Sequence, residues 1–467
     1  MTRCAIVPPY ILEAMVASGD PALAARARHV LEVDERLRRA RRQRTAAPPT
    51  PSAEGGSPPV GAAAGGEASP DRRVHDAGGG QELPGELARA EGDPATGDLA
   101  TDEAYDGLGA TWRFWHEVYG RDSLDADGMA MIGTVHYGQD YGNAFWDGTQ
   151  MVFGDGDGEI FTRFTASLDV IGHELAHGIT ELTSGLVYRD QPGALNEHVS
   201  DVFGALVKQH SLGQSAGEAD WLIGAELLAD GVRGRALRSM SEPGTAYDDP
   251  RLGRDPQPGH MRDFVVTAED NGGVHINSGI PNRAFFLLAT TLGGAAWERA
   301  GQIWVDTILG DIRADCDFAR FAALTELAAR NRYGEEVAGH VRSSWAEVGV
   351  TSAEVPGGGD LPVGAGPSPT HSTELTLTRS GGFAGLTRRR TVRLGEVPQP
   401  DRSALERLIE DPRLRALEAS DAPGPPDAYC YGLSCDRPPL EVQVPEPQLA
   451  PPTRELLERT LRGEVDE

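Results

Sequence analysis

Lysine is all but missing from this chain. Of its 43 basic residues only Lys208 is lysine, and the rest are arginine. Cysteine is nearly as scarce, with four in 467 residues: Cys4, Cys316, Cys430 and Cys435. They lie too far apart for a disulfide framework. The nearest pair, Cys430 and Cys435, would face opposite sides of one strand, so free thiols are expected. No stretch approaches the roughly 20 apolar residues of a membrane span. The opening MTRCAIVPPYILEAMV has too short and too interrupted an apolar run for a secretory signal peptide. The expectation is cytoplasmic synthesis, with any passage to the extracellular space by a route that needs no such signal.

Positive charge is thin where the chain is richest in structure. Residues 71–350 carry 45 acidic and 21 basic side chains, net −24, against +2 for residues 1–70 and −6 for residues 351–467. An acidic centre repels phosphates and so argues against nucleic acid as a partner. It keeps the protein soluble, and it also offers basic segments of the chain a surface on which to dock.

What is present divides the chain. Residues 1–45 hold PPYIL and a helical stretch ending in the basic run RRARRQR; residues 46–70 are a Pro/Gly/Ala linker that cannot form a core. A second linker covers residues 353–371. Between them, residues 71–165 mix a helix (DEAYDGLGATWRFWHEVYG) with strand signals. In NAFWDGTQMVFGDG two apolar runs flank Asp147-Gly148, a two-residue hairpin signal. Residues 166–352 read as helix almost throughout. SLDVIGHELAHGITELTSG starts near Ser167, and GALNEHVSDVFGALVKQH places Leu195, Val199, Val202 and Leu206 on one apolar face. Residues 372–467 alternate strands and helices, starting with ELTLTRS, a turn at GGFAG and LTRRRTVRL, then the helix SALERLIEDPRLRAL. The expected fold class is α+β. It comprises a two-lobe catalytic domain, mixed α/β then all-α with a cleft between, and a small α+β C-terminal domain.

DVIGHELAHGITE carries the chemistry. Residues four apart share a helix face, so His173 and His177 can offer nitrogens to one tetrahedral ion. Glu174 lies off that axis, within reach of a metal-bound water. Two histidines alone are also compatible with a solvated pair. A catalytic zinc site wants a third protein ligand. NEHVSD offers Glu197 and Asp201, again four apart; one would bind metal and the other hold a histidine N–H.

HELAH, GLVY and GALNEHVSD, with NAFWDG upstream and LRSMSEP and DNGGVHINSGIPN downstream, resemble in order the signature blocks of the thermolysin family of zinc endopeptidases. PPYIL resembles the box that opens the propeptide of the protealysin-like subgroup, where the pro-segment covers the cleft until it is cut away. The resemblance implies one catalytic zinc (Zn2+) held by His173, His177 and Glu197, with Asp201 orienting His173. It makes Glu174 the general base, and Tyr188 and His275 donors to the oxyanion, with Asp270 holding His275 charged. Asn143 and the Ala144 backbone would hold a peptide substrate as an added strand, and Arg238 would bind a substrate carbonyl. Val170 and Leu237 would line a pocket for a large apolar residue just after the cut.

One departure stands out. Many family members carry a calcium-binding Glu where this chain has Lys208, and WLIGAE lacks carboxylates at the positions the double calcium site uses, although Asp169 and Asp220 remain. The double Ca2+ site is therefore expected to be lost, with room for a single calcium elsewhere. LTLTRSGGFAGL resembles the emfourin-type inhibitors of such proteases. Its stretch holds Arg379, Arg388, Arg389, Arg390 and Arg393, with no acid between residues 375 and 395. The expected function is a latent endopeptidase. The alternative is a self-inhibited or regulatory protein whose C-terminal module keeps the site closed.

Overall fold

The hairpin expected at Asp147-Gly148 forms one residue later than its signal. Trp146 pairs with Met151, Asp147 N–H donates to Gln150 O at 3.0 Å, and Gly148 takes the positive φ of 100°. Asp147 instead caps the turn, its Oδ1 accepting from Thr149 N at 2.8 Å and Gln150 N at 3.1 Å. The structure is a computed structural model that describes residues 5–46, 68–310, 312–352, 373–381, 388–397, 401–410, 429–436, 439–445 and 451–462. Most of both expected linkers, Cys4, residues 382–385 of the GGFAG turn and the part of the expected SALERLIEDPRLRAL helix beyond residue 410 lie outside the described residues. The chain divides into two units, residues 1–356 and 357–467.

In the first unit, β1 (Arg72–Asp76), β2 (Glu86–Ala90), β3 (Met131–Val135), β4 (Ala144–Trp146) and β5 (Met151–Phe153) form one sheet in the order β2-β1-β3-β5-β4. β1, β3 and β5 run parallel, while β2 and β4 are antiparallel to their neighbours, which leaves β4 on an edge. Helix α3 (Leu99–Tyr119), N-capped by Asp98 and ended by Gly120 at φ 65°, buries Leu108, Phe114 and Trp115 in the same core.

The rest of this unit is mainly helical: α4 (Leu168–Leu182), α5 (Asp190–Leu212), α6 (Asp270–Asn277), α7 (Gly279–Leu292), α8 (Ala300–Ile308), α9 (Phe318–Tyr333) and α10 (Glu335–Glu347). The near-continuous helix expected over residues 166–352 is broken between α5 and α6, where Leu222–Ile223 pairs with Arg238–Ser239 and Asp248–Asp249 with Gly253–Arg254. Ser167 occupies the N-cap position of α4 but its hydroxyl serves elsewhere, donating to Asp169 Oδ1 at 2.6 Å. Glycine lets α4 and α5 approach closely: a Cβ at Gly204 would lie 2.3 Å from the Asp169 carbonyl. The expected apolar face of α5 is fully buried, Leu195, Val199, Val202 and Leu206 being 0% exposed.

The N-terminal segment joins this unit. Helices α1 (Pro9–Ala17) and α2 (Pro21–Ala46) bury Ile11, Leu12, Met15, Leu23, Val30 and Val33 in the same apolar core as the sheet and helices. Ahead of them Ile6 N–H donates to Ala144 O at 3.1 Å and Ala5 bridges Phe145, so residues 5–7 extend the sheet past β4.

The second unit has an antiparallel sheet of β6 (Glu374–Gly381), β7 (Arg388–Arg393), β8 (Tyr429–Asp436) and β9 (Pro439–Pro445), in the order β7-β6-β8-β9. Helices α11 (Asp401–Glu410) and α12 (Pro451–Arg462) contribute Leu405, Ile409, Leu456, Leu457 and Leu461 to its core. Edge strand β7 presents Arg388, Arg389 and Arg393 to solvent. Among the described residues, Cys316, Cys430 and Cys435 form no disulfide, and no helix is long and apolar enough to cross a membrane.

Candidate active site

Helix geometry brings the two histidines of α4 together and packing supplies the third group. His173 Nε2 lies 3.1 Å from His177 Nε2; Glu197 Oε2 and Oε1, from α5, lie 3.5 and 3.6 Å from those nitrogens in turn. The ligand atoms of the three residues fall within 4.8 Å of one another, and all three residues are buried. Two imidazole nitrogens this close, with a carboxylate against both, is a donor set suited to zinc.

Each ring is held from behind. His173 Nδ1 lies 2.8 Å from Asp201 Oδ1, and His177 Nδ1 lies 2.7 Å from Asn196 Oδ1. Both Nε2 atoms therefore face the shared point with their lone pairs. Asn196 is anchored in turn by donation to Leu186 O at 3.1 Å. Sequence reasoning missed Asn196, although it directly precedes Glu197 in NEHVSD.

Glu174 is fully buried beside this group. Its Oε2 accepts from Trp146 N–H at 2.9 Å, while Oε1 is buried with no hydrogen-bond partner among the described residues. A buried carboxylate oxygen left open next to three metal donors fits a site completed by a metal and its water. Burial and the charge of Glu197 push the Glu174 carboxyl well above its ordinary range. Burial works in the same direction on Glu197, but His275, His177 and His173 outweigh it and hold that carboxyl down at about 2. Burial pushes His177 down to about 4, against the pull of Glu197.

Across the site, the Tyr188 hydroxyl donates to Glu197 Oε1 and lies 3.2 Å from His275 Nε2. Asp270 Oδ1 lies 2.6 Å from His275 Nδ1, and its Oδ2 accepts the His275 N–H at 2.9 Å. A left-handed run from Asp270 to Gly273, φ between 48° and 89°, folds the chain back so that one carboxylate meets both groups. Burial opposes charge on His275, but Glu197 and Asp270 together raise its pKa.

Arg238 is 1% exposed and grips Asp201, Nε to Oδ2 at 2.9 Å and Nη2 to Oδ1 at 2.8 Å. Its Nη1 donates to Ile6 O at 3.2 Å. Asn143 receives the same segment, its Oδ1 accepting Val7 N–H at 3.0 Å and its Nδ2 donating to Val7 O at 3.3 Å. Val170 and Leu237 are buried in the core of this unit.

Lys208 is surrounded by carboxylates. Its Nζ lies 3.0 Å from Asp169, 3.1 Å from Asp220 and 3.7 Å from Glu226. Glu226 is the last residue of WLIGAE, so that stretch supplies a carboxylate that sequence reasoning did not place here. Burial disfavours the ammonium, but Asp169, Glu226 and Asp220 outweigh it and raise its pKa.

The chain is similar to known proteins. Residues 77–181 match the thermolysin metallopeptidase catalytic domain, residues 184–350 its alpha-helical domain, and residues 377–461 emfourin. The chain is 53% identical to an extracellular metalloprotease of Pectobacterium carotovorum subsp. carotovorum, over 74% of this chain and 96% of that one. It is 38% identical to a thermolysin of Alicyclobacillus acidocaldarius, over 57% of this chain and 49% of that one. Among solved structures it resembles the precursor of protealysin, a metalloproteinase from Serratia proteamaculans. There the TM-score is 0.66 and the identity 49%, over 74% of this chain and 100% of that one. The expectation of a cytoplasmic protein reaching the outside by an unusual route is overturned by these relatives. The Pectobacterium enzyme and a 51% identical minor metalloprotease of Serratia marcescens are both named extracellular. The chain belongs to the thermolysin family of metallopeptidases, with an emfourin domain at its C-terminal end.

Proposed function

We propose that this chain is a zinc-dependent endopeptidase, made as a latent precursor, that cuts on the N-terminal side of large apolar residues. The observation that carries the reading is the clustering of His173, His177 and Glu197 within 4.8 Å, with the open Oε1 of Glu174 beside them. Zinc held by those three residues would acidify a water and polarise the scissile carbonyl.

This chain's own residues do the rest. Glu174, steadied by the Trp146 N–H, takes the proton of the attacking water on Oε1 and passes it to the leaving nitrogen; its raised basicity suits that task. The Tyr188 hydroxyl and a charged His275 donate to the oxyanion as it develops. A substrate adds to β4 as an extra strand through the Ala144 backbone and Asn143, with Arg238 on one of its carbonyls. Val170 and Leu237 line the pocket that takes the residue after the cut.

Latency is supported by residues 5–7, which already take the hydrogen bonds of Ala144, Asn143 and Arg238 that a substrate would use. The pro-segment must therefore leave before a substrate can add. Lys208 takes the place of a cation among Asp169, Asp220 and Glu226, so the double calcium site is absent. The emfourin match favours a second restraint, inhibition by the C-terminal unit.

Casein cleavage by the full chain compared with a chain ending near residue 355 tests both readings. Equal activity removes the C-terminal inhibitor; no activity in either, with zinc bound, removes the enzyme. A Glu174→Ala chain should bind zinc but neither mature nor cleave.

A further inference from the structure

His198 follows Glu197 on α5, yet its ring serves a different network. Its Nδ1 lies 2.8 Å from Asn282 Oδ1 on α7, and its Nε2 lies 2.7 Å from the indole Nε1 of Trp304 on α8. Asn282 Nδ2 in turn lies 2.8 Å from Asp201 Oδ2, and Asp201 Oδ1 lies 2.8 Å from His173 Nδ1. All five residues are 0% exposed, so water cannot substitute for any link.

The direction of this chain is forced from both ends. An indole N–H can only donate, so His198 Nε2 must accept and carries no proton. The neutral ring then has its hydrogen on Nδ1 and donates it to Asn282 Oδ1. From the other end, an ionised carboxylate can only accept, so Asn282 must turn its amide nitrogen to Asp201 and leave its oxygen for His198. The two requirements agree. At Asp201 five contacts fill both oxygens: Asn282 and Arg238 Nε on Oδ2, and His173, Arg238 Nη2 and, at 3.2 Å, Arg238 Nε again on Oδ1. The carboxylate has no freedom to rotate, and the His173 N–H has one place to point.

We propose that Trp304, His198 and Asn282 are positioning residues of the metal centre: a one-way hydrogen-bond chain from the helical core that sets the Asp201 carboxylate and, through it, the His173 ring. The proposal rests on His173 being a zinc ligand. It deepens that reading by tying metal affinity to a residue 106 positions from the other end of its indole–imidazole bond.

The test has two arms on the full chain, carried in the Glu174→Ala background so that it stays uncut. Long-range 1H–15N NMR of the histidine rings should find His198 neutral with its hydrogen on Nδ1; a hydrogen on Nε2 overturns the proposal whatever the metal does. Zinc affinity by chelator competition is the second readout. Asn282→Ala and His198→Leu should weaken zinc binding by about 10–100-fold, whereas His198→Gln, which can still accept from Trp304 and donate to Asn282, should stay within about threefold of the parent. Equal zinc affinity in all three overturns the positioning role. Failure of the parent itself to bind zinc is a separate outcome, which removes the ligand assignment and the proposal with it. The NMR arm needs no substitution in the chain of bonds, so a variant that fails to fold does not rescue the idea.

Discussion

The carbonyl oxygen of Ile6 lies 3.2 Å from Nη1 of Arg238, the guanidinium that also grips Asp201 behind the His173 ring. The N-terminal segment is thus joined to the machinery it covers. Asp34 adds a buried clasp, accepting from Tyr141 OH at 2.6 Å and Asn143 Nδ2 at 3.0 Å. Charge-assisted bonds of this kind contribute about 1.5–3 kcal/mol each. Asp34→Ala should loosen the segment, so that the lag before peptide hydrolysis shortens by about tenfold or more at fixed protein concentration. An unchanged lag would mean that this clasp is not what restrains the enzyme.

Lys208 sets a second expectation. Removing one partner of a buried ion pair leaves the other charge exposed to a low dielectric, here Asp169, which is 0% exposed. Lys208→Met should cost about 3–5 kcal/mol and lower the melting temperature on the order of 10 °C. A calcium ion retained at α5 in elemental analysis would sink this account of the cluster.

The sequence made local relationships legible and distant ones hidden. Two histidines four apart, or Glu197 and Asp201 four apart, declare a shared helix face because 3.6 residues make a turn. The α/β-then-helical order of the first unit was legible for the same reason, since periodicity reports on each element separately. What faces those elements depends on packing register, which no spacing encodes. Arg238 reads from its motif as a substrate-binding residue, whereas in the structure its guanidinium clamps Asp201; Trp146 supplies a backbone donor to Glu174 that no side-chain motif could announce. The Asp-Gly signal at residues 147 and 148 located the hairpin but not its centre, because Asp147 caps the turn instead of occupying it.

Gly204 is the clearest hidden determinant. On an exposed helix Gly→Ala usually stabilises, by about 1 kcal/mol. Here the added Cβ would meet the Asp169 carbonyl at 2.3 Å and the His173 N–H at 3.1 Å, both backbone atoms. The helices must move apart, and the His173–Glu197 separation of 3.5 Å moves with them. Gly204→Ala should therefore destabilise by about 1–3 kcal/mol and weaken zinc by about tenfold in chelator competition. A stabilised variant with native zinc affinity would show that the two helices do not depend on this contact.

His136 gives a prediction in pH, away from the metal centre. Its ring bridges two carboxylates, Nδ1 at 2.9 Å from Asp155 and Nε2 at 3.2 Å from Asp98, the N-cap of α3. Burial works against charge on the ring, but Asp155 and then Asp98 outweigh it and raise its pKa. Because the folded value lies above the unfolded one, the contribution is fully present below the unfolded pKa of about 6.5 and is lost as pH rises through the folded value. Asn suits this site as a replacement because His136 sits at φ 53°, which Asn tolerates. Relative to the native chain, His136→Asn should cost about 0.5–1 kcal/mol near pH 5.5 and close to nothing near pH 9, the partners being half-exposed and screened. Denaturant melts of both chains at the two pH values decide it: a difference that grows toward alkaline pH would reverse the sign and rule out a charged bridge at His136.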